Sequence, residues 1–166
     1  MRSPVHFALL ALMALTLAGC RQADGPVPTP DDSVLEDLGD VRKDLEYIAT
    51  GYDPSASKDL AEDLRKYVDE MPPAAAAVDE LSRRVADVVA QKKLPEQTGD
   101  QLALNLWLAI QARQISERQV ESLQNDTQAL LMTVGITEEN AQQVAAQIGE
   151  VQRLVTARQR RWYELF

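Results

Sequence analysis

Apolar residues recur along most of the chain at alternating steps of three and four residues, the spacing of one face of an amphipathic α-helix. No stretch alternates apolar and polar residues as a β-strand does. The pattern predicts an all-α fold, a single bundle of about five to six helices with coiled-coil-like heptad stripes. The apolar positions are, segment by segment, Val34, Leu38, Val41, Leu45 and Ile48; Leu60, Leu64, Tyr67 and Met71; Val78, Leu81, Val85 and Val88; Val120, Leu123, Leu130, Leu131 and Val134; and Val144, Ile148, Val151, Val155 and Trp162.

Breakers and capping residues mark where the predicted helices begin and end. Gly51 and Gly135 are placed to end the first and the fifth, because glycine readily adopts the left-handed conformation that follows a helix. A capping box at Ser33–Glu36 predicts the start of the first helix. Asp53-Pro54-Ser55 is expected to cap the second helix, and Pro72-Pro73 to end it.

The fourth segment is apolar on nearly every side. In residues 102–110 (LALNLWLAI) only Asn105 is polar, which predicts that this helix lies at the centre of the bundle. A buried amide without hydrogen-bond partners costs on the order of 1–3 kcal/mol, so Asn105 is expected to have partners in the core. The alternative is that Asn105 is a polar hook for a bound ligand.

The first 20 residues carry the strongest motif of the chain. A short basic start precedes an apolar stretch over residues 7–17, about half the length that a bilayer-spanning helix needs. The stretch ends in Leu17-Ala18-Gly19-Cys20, which resembles the lipobox of bacterial lipoproteins. The resemblance implies that residues 1–19 are a signal peptide cut between Gly19 and Cys20, and that the Cys20 thiol carries diacylglycerol. The alternative is an ordinary secretory signal with a chance cysteine, or a buried apolar helix.

Residues 20–30 are expected to link the lipid to the folded part of the protein. Arg21 follows the cysteine, whereas an aspartate there resembles the inner-membrane retention signal of enteric bacteria. The outer membrane is therefore the expected location, with the protein facing the periplasm. The Pro- and Gly-rich sequence RQADGPVPTP predicts a disordered tether that spans roughly 30 Å. The alternative is a disordered segment with no spacing role. The helical domain then comprises residues 31–166.

Acidic residues outnumber basic ones by 26 to 17, a formal net charge of −9 at pH 7. This balance argues against a nucleic-acid-binding protein, because phosphate-binding domains are basic. The excess belongs to residues 31–80, which hold 15 acids and 5 bases, whereas residues 81–166 hold 10 of each. Such an excess is usually only a solvated face. The functional interpretation is a surface for a basic partner, or one that keeps this half of the domain away from anionic lipid headgroups.

The residue types that carry most enzyme chemistry are scarce. His6 is the only histidine and Cys20 the only cysteine, and both lie in or at the edge of the predicted leader. The mature domain is therefore expected to have no imidazole, which excludes Ser-His-Asp catalysis, Cys-His catalysis and the usual zinc sites, and no metal or cofactor is expected. An enzyme would have to act through carboxylates, as peptidoglycan-cleaving glycosidases do. No carboxylate stands in an apolar sequence setting that would raise its pKa as a general acid requires, so we expect a non-enzymatic protein.

The C-terminus is basic and aromatic. Trp162 continues the stripe of the sixth helix and is predicted to lie in the core. The neighbouring residues are candidates for contact with a partner or with lipid headgroups, because arginine and tyrosine are common at the centre of interfaces. The alternative is that the arginines complement the helix dipole and the aromatics dock on the domain itself. The candidate contact residues are Arg158, Arg160, Arg161, Tyr163 and Phe166.

A second resemblance lies in two helix starts. Ile115-Ser116-x-x-Gln119 and Ile136-Thr137-x-x-Asn140 are similar to the Leu-Thr-x-x-Gln motif of small periplasmic helical proteins of the Spy and CpxP type. The resemblance implies an envelope-stress chaperone or metal sensor that forms a helical, cradle-shaped dimer. A helix-capping box, in which a Ser or Thr and a Gln three residues later bond each other's backbone N–H groups, generates the same pattern.

The sequence therefore favours a lipid-anchored protein of the cell envelope that acts as an interaction or structural module through its helical surface, with an envelope protein as its partner. The alternatives are an envelope-stress chaperone or sensor and a carboxylate-dependent peptidoglycan-cleaving enzyme. A deep cleft with two opposed carboxylates would favour the enzyme, whereas a flat or grooved helical surface would favour the interaction module.

Changing Cys20→Ser is expected to abolish incorporation of labelled fatty acid and to release the protein from washed membranes, because the thiol is the predicted site of lipid attachment. Metabolic labelling and fractionation of cells that express either form measure the two effects. Continued pelleting of the serine variant with membranes would contradict the predicted anchor.

Overall fold

The computed structural model describes residues 32–68, 70–90, 92, 94–111 and 116–163, with the backbone alone at 32–35 and 157–163. All regular structure in these residues is helical, which confirms the predicted all-α bundle. None of the described helices is long and apolar enough to span a bilayer. The helices are α1 (Asp32–Thr50), α2 (Ala56–Arg65), α3 (Pro72–Val89), α4 (Glu96–Gln111), α5 (Glu117–Thr133) and α6 (Glu138–Tyr163).

Glycines end α1 and α5, and a capping box begins α5, at the positions that the sequence predicts. Gly51 follows α1 with φ +64° and Gly135 lies just after α5 with φ +82°, a conformation that glycine adopts at little cost. Ser116 caps α5: its hydroxyl oxygen accepts a hydrogen bond from the N–H of Gln119, and Gln119 Oε1 accepts one from the N–H of Ser116 at 2.7 Å. The predicted ends of α1 and α5 and the capping box of α5 are thus confirmed.

The starts of α1 and α2 differ slightly from the prediction. α1 begins at Asp32, so Ser33 lies inside the first turn rather than before it. Ser55, not Asp53, occupies the N-cap position of α2. Asp53 Oδ1 instead accepts hydrogen bonds from both the N–H and the hydroxyl of Ser55 at 2.8 Å. The aspartate therefore stabilises the turn before the helix.

The end of α2 also differs from the prediction. The helix ends at Arg65, well before Met71, and Pro72 and Pro73 instead stand in the first turn of α3. The chain continues in turns, with Val68 N–H donating to the carbonyl of Arg65 at 2.8 Å. These turns bury Val68 and leave Tyr67 only partly buried, whereas the apolar stripe predicted Tyr67 in the core.

α4 lies at the centre of the bundle, as its apolar sequence predicts. It packs against α1, α2, α5 and α6. α6 pairs with α3 and with α5, and α1 pairs with α2. The predicted stripes fill the core, in which the buried members are Val41, Leu45 and Ile48; Leu60 and Leu64; Val78, Leu81, Val85 and Val88; Leu102, Leu106 and Ile110; Leu123 and Leu131; and Val144, Ile148, Val151 and Val155.

Buried polar side chains connect α4 to its neighbours. Asn105, 2% exposed, donates to the Thr127 hydroxyl of α5 at 3.0 Å and accepts from Gln101 Nε2 at 2.9 Å. Gln152 of α6, 1% exposed, donates to the carbonyl of Leu108 at 3.0 Å. Leu108 lies in the last turn of α4, where carbonyls lack an N–H partner within the helix. The expected core partners of Asn105 are confirmed, and Gln152 satisfies the end of α4.

Replacing Thr127 by valine retains most of the side-chain volume but removes the acceptor of Asn105. We expect the free energy of unfolding to fall by about 1–3 kcal/mol, because Asn105 Nδ2 is then buried without a partner. Thr133→Val is the matched control: the Thr133 hydroxyl also bonds a carbonyl of its own helix, but Thr133 is exposed, so a change below about 0.5 kcal/mol is expected. Urea unfolding measures both variants, and equal losses would contradict the role of Thr127.

Candidate functional site

Five aspartates line the contact between α1 and α2, and we name this cluster the acidic seam. The two helices run antiparallel, so that the start of α1 lies beside the end of α2. The seam consists of Asp37, Asp40 and Asp44 of α1 with Asp59 and Asp63 of α2.

The local sequence explains why these aspartates meet. Asp40 and Asp44 are four residues apart, and each directly precedes a buried residue of α1. Asp59 and Asp63 stand in the same relation to buried residues of α2. Each pair therefore lies on one face of its helix, on the same side of the apolar stripe. When two such helices pack antiparallel, these sides face each other.

Asp44 is the buried member of the seam. It is 8% exposed, and its Oδ2 accepts no hydrogen bond from any N–H or O–H group of the described residues. Among its charged neighbours the Asp63 carboxyl acts on it most strongly and disfavours its ionised form. Burial, followed by the charges of Asp63, Asp59 and Asp40, raises the pKa of Asp44 to about 7. The expectation that no carboxylate has surroundings that raise its pKa is therefore wrong.

The side chains of Lys66 and Tyr67 lie at the outer edge of the seam. Lys66 Nζ lies 2.7 Å from Asp63 Oδ1, and this contact raises the pKa of Lys66. The Tyr67 hydroxyl donates to Asp37, and burial together with this hydrogen bond raises the pKa of Tyr67. A cavity of about 10 Å³, room for a single water molecule, is lined by these residues and by Trp107. The space inside the seam is thus too small for an organic ligand.

The surface around the seam carries acids that lack cations. Glu36 and the seam residue Asp40 are exposed and have no ion-pair partner within 4 Å among the described residues. This surface is therefore net negative and open to a cationic ligand. The basic residues of α1, of α2 and of the turn after α2 are already engaged: Arg42 with Glu96 and Asp100, Lys58 with Glu62, Arg65 with Asp79, Lys66 with Asp63, and Lys43 over the ring of Tyr47.

A second concave surface lies between α3 and α6. This open groove has a volume of about 360 Å³, and Arg83, Arg84 and Gln143 contribute to its lining. Both arginines pair with Glu80 of their own helix, at 2.8 and 2.7 Å, and Arg84 also donates to Gln143 at 2.9 Å. Because these charges are satisfied within the domain, the groove is a weaker candidate for a charged ligand than the acidic seam.

The site residues predicted from the sequence fall where the structure describes no side chains. Gly19, Cys20 and Phe166 lie outside the described residues. The lipid anchor, the C-terminal contact surface and the placement of Trp162 in the core therefore stay predictions. The remaining candidates, Arg158, Arg160, Arg161 and Tyr163, lie in the last turns of α6, where the backbone alone is described.

The two motifs of the Leu-Thr-x-x-Gln kind have a local structural role. Ser116 and Gln119 form the capping box of α5. At the start of α6, Thr137 Oγ1 accepts a hydrogen bond from the N–H of Asn140 at 3.4 Å. Helix capping thus accounts for both motifs without a further function.

The chemistry available at the seam is proton binding and electrostatic attraction. Across the described ranges, no group of three or more histidine, cysteine or carboxylate side chains is arranged to hold a metal ion. A buried carboxyl with a pKa near neutrality takes up or releases a proton when the pH changes in that range. The exposed carboxylates around it attract cations.

Asp44 is absent from the site residues predicted from the sequence, although one signal pointed to it. The pairs Asp40 and Asp44, and Asp59 and Asp63, mark two acidic edges beside apolar stripes. The short turn at residues 51–55 favours an antiparallel helix hairpin, which brings these edges together.

No family model, no curated protein and no solved structure matches the chain.

Asp44→Asn is expected to stabilise the protein at neutral and alkaline pH. The pKa of Asp44 is about 7 in the folded chain against an ordinary 3.8, so the folded chain binds this proton more tightly and loses stability as the pH rises between these values. The variant lacks this titration. Its gain in the free energy of unfolding should be absent at about pH 4 and reach on the order of 2–4 kcal/mol above about pH 7, as measured by urea unfolding.

Asp126 of α5 provides the control for this experiment. It is exposed, and Asp126→Asn removes the same charge outside the seam, so we expect a change below about 0.5 kcal/mol throughout the pH range. A gain for Asp44→Asn that is equal at acid and neutral pH would contradict the assignment of a proton to Asp44 in the folded chain.

Proposed function

We propose that the chain is a lipid-anchored protein of the bacterial cell envelope, attached through Cys20 to the outer membrane and facing the periplasm. It acts by binding a basic envelope protein, without converting a substrate. The binding surface is the acidic seam together with the exposed acids around it. The observation that carries this proposal is the charge balance of α1 and α2, where exposed carboxylates remain without cations while the basic residues are engaged.

The arrangement of the exposed acids fits recognition at close range. Glu36 lies one helical turn from the seam residue Asp40, on the same face of α1. Salt screens interactions between exposed charges beyond about 8–10 Å, so a basic partner has to contact this face to gain from it. Binding of this kind is fast, sensitive to salt and selective for the sign of the partner's charge.

Neither alternative function has a specific observation in its favour. The chaperone alternative rests on two motifs that helix capping explains. Glycosidases place their two carboxyl groups roughly 5–9.5 Å apart, on either side of the bond they cleave. Asp44 is instead buried where α1 meets α2, out of reach of a bound glycan. The raised pKa of Asp44 is therefore better explained by a proton held between two helices than by a catalytic acid.

Neutralising two exposed carboxylates of α1, with Glu36→Gln and Asp40→Asn in one protein, is expected to release the basic partner. The physical reason is that the two charges lie on the proposed contact face and have no cation of their own. The measurement is affinity isolation of the full chain from detergent-solubilised envelopes. Basic proteins retained by the wild type at low salt should be lost from the variant, and also from the wild type at high salt.

A second double variant, Glu121→Gln with Asp126→Asn, is the matched control. It removes the same charge from exposed positions of α5 and is expected to retain the partner. Loss of the partner from both double variants would indicate a dependence on net charge alone. Retention by both would locate the binding surface elsewhere, and either result would contradict the proposed surface.

A further inference from the structure

We infer that the acidic seam exchanges its proton for a cation of the partner. When an ammonium or guanidinium group docks beside Asp40, Asp59 and Asp63, Asp44 releases its proton to solvent. The inference rests on the proposed function, because it specifies how the same surface recognises a basic ligand and what the recognition depends on.

The geometry of Asp44 and Asp63 is the reason for the exchange. Asp44 is more than nine-tenths buried, and its Oδ2 has no donor among the described residues. A buried carboxyl beside the negative charges of Asp63, Asp59 and Asp40 holds its proton, because burial and like-charge repulsion both disfavour its ionised form. A cation at the seam supplies the missing positive charge, and the proton is then no longer needed.

The charges that act on Asp44 are negative on both helices of the seam. Asp40 contributes from α1, and Asp59 and Asp63 contribute from α2. Lys66 occupies the outer side of Asp63 and is exposed, so it is the chain's own competitor for the incoming group. The charged groups on the other helices packed against α1 are paired: Glu96 and Asp100 of α4 with Arg42, and Asp79 of α3 with Arg65.

Binding and protonation are then coupled in both directions. A cation beside a carboxyl favours its ionised form, so occupation of the seam lowers the pKa of Asp44 and binding releases a proton. By the same coupling, a rising pH strengthens binding over the range in which Asp44 titrates in the chain without a partner, and a falling pH weakens binding. The affinity for a basic partner therefore falls when the surroundings become acidic.

Isothermal titration calorimetry of the full chain in a non-ionic detergent tests this inference, with an N-acetylated decalysine peptide as the probe. Titrations at neutral pH in two buffers of different ionisation enthalpy count the protons released. For the wild type we expect about half a proton per bound peptide where Asp44 is half titrated. The affinity should rise roughly five- to tenfold from one pH unit below that point to one unit above it.

Asp44→Asn is expected to bind the peptide without proton release and with an affinity that does not change over this pH range. The control, Asp126→Asn, should release protons as the wild type does. Binding to the wild type without net proton release, or equal release by Asp44→Asn, would overturn the exchange while leaving the proposed binding surface intact. If the wild type does not bind the peptide at low salt, the proposed surface itself is wrong.

Discussion

A helix that is apolar on nearly every side has to be covered on every side, and α4 imposes this requirement on the whole bundle. α1 and α2 cover it on one side, and α5 and α6 on the other. Burial also removes water from its polar groups, so Asn105 depends on Thr127 and the last turn depends on Gln152. A shift of α5 or α6 by one residue along its axis would leave a buried polar group unsatisfied. These hydrogen bonds therefore determine the position of α5 and α6 along α4, which apolar contacts alone do not determine.

The acidic seam follows from the same enclosure of α4. Val41 and Leu45 of α1 and Leu60 and Leu64 of α2 turn toward the core, and this orientation brings the neighbouring aspartates of the two helices together. An uncharged residue in place of Asp44 would avoid both the burial of a carboxyl and its repulsion with Asp63. Because its pKa is raised, the aspartate is expected to lower stability at neutral pH, and features that cost stability in this way are common at functional sites. This expected cost marks the seam as a candidate functional site.

The parts of the fold that depend on local signals could be predicted from the sequence. The apolar stripes, Gly51, Gly135 and the capping box at Ser116 act within a few residues of the chain, so their outcome does not depend on the neighbouring helices. The partners of Asn105 could be expected but not identified, because Thr127 is 22 residues away and Gln152 meets α4 only in the assembled bundle. The raised pKa of Asp44 has the same origin. Its largest cause is burial in the assembled bundle, followed by the charges of Asp63 and Asp59 on α2, so the residues beside Asp44 in the sequence do not reveal it.

The division of charge along the chain gives the proposed anchor an orienting role. If residues 20–30 form the predicted tether of roughly 30 Å, it is several times longer than the distance of about 8 Å over which salt screens exposed charges, so the domain responds to anionic headgroups only when it comes close to them. At close range residues 31–80, with 15 acids and 5 bases, would be repelled, whereas residues 81–166, with 10 of each, would not. On this proposal the acidic surface turns away from the lipid. A basic partner in the periplasm can reach it there, without competition from the membrane and without any fixed contact between the domain and the lipid.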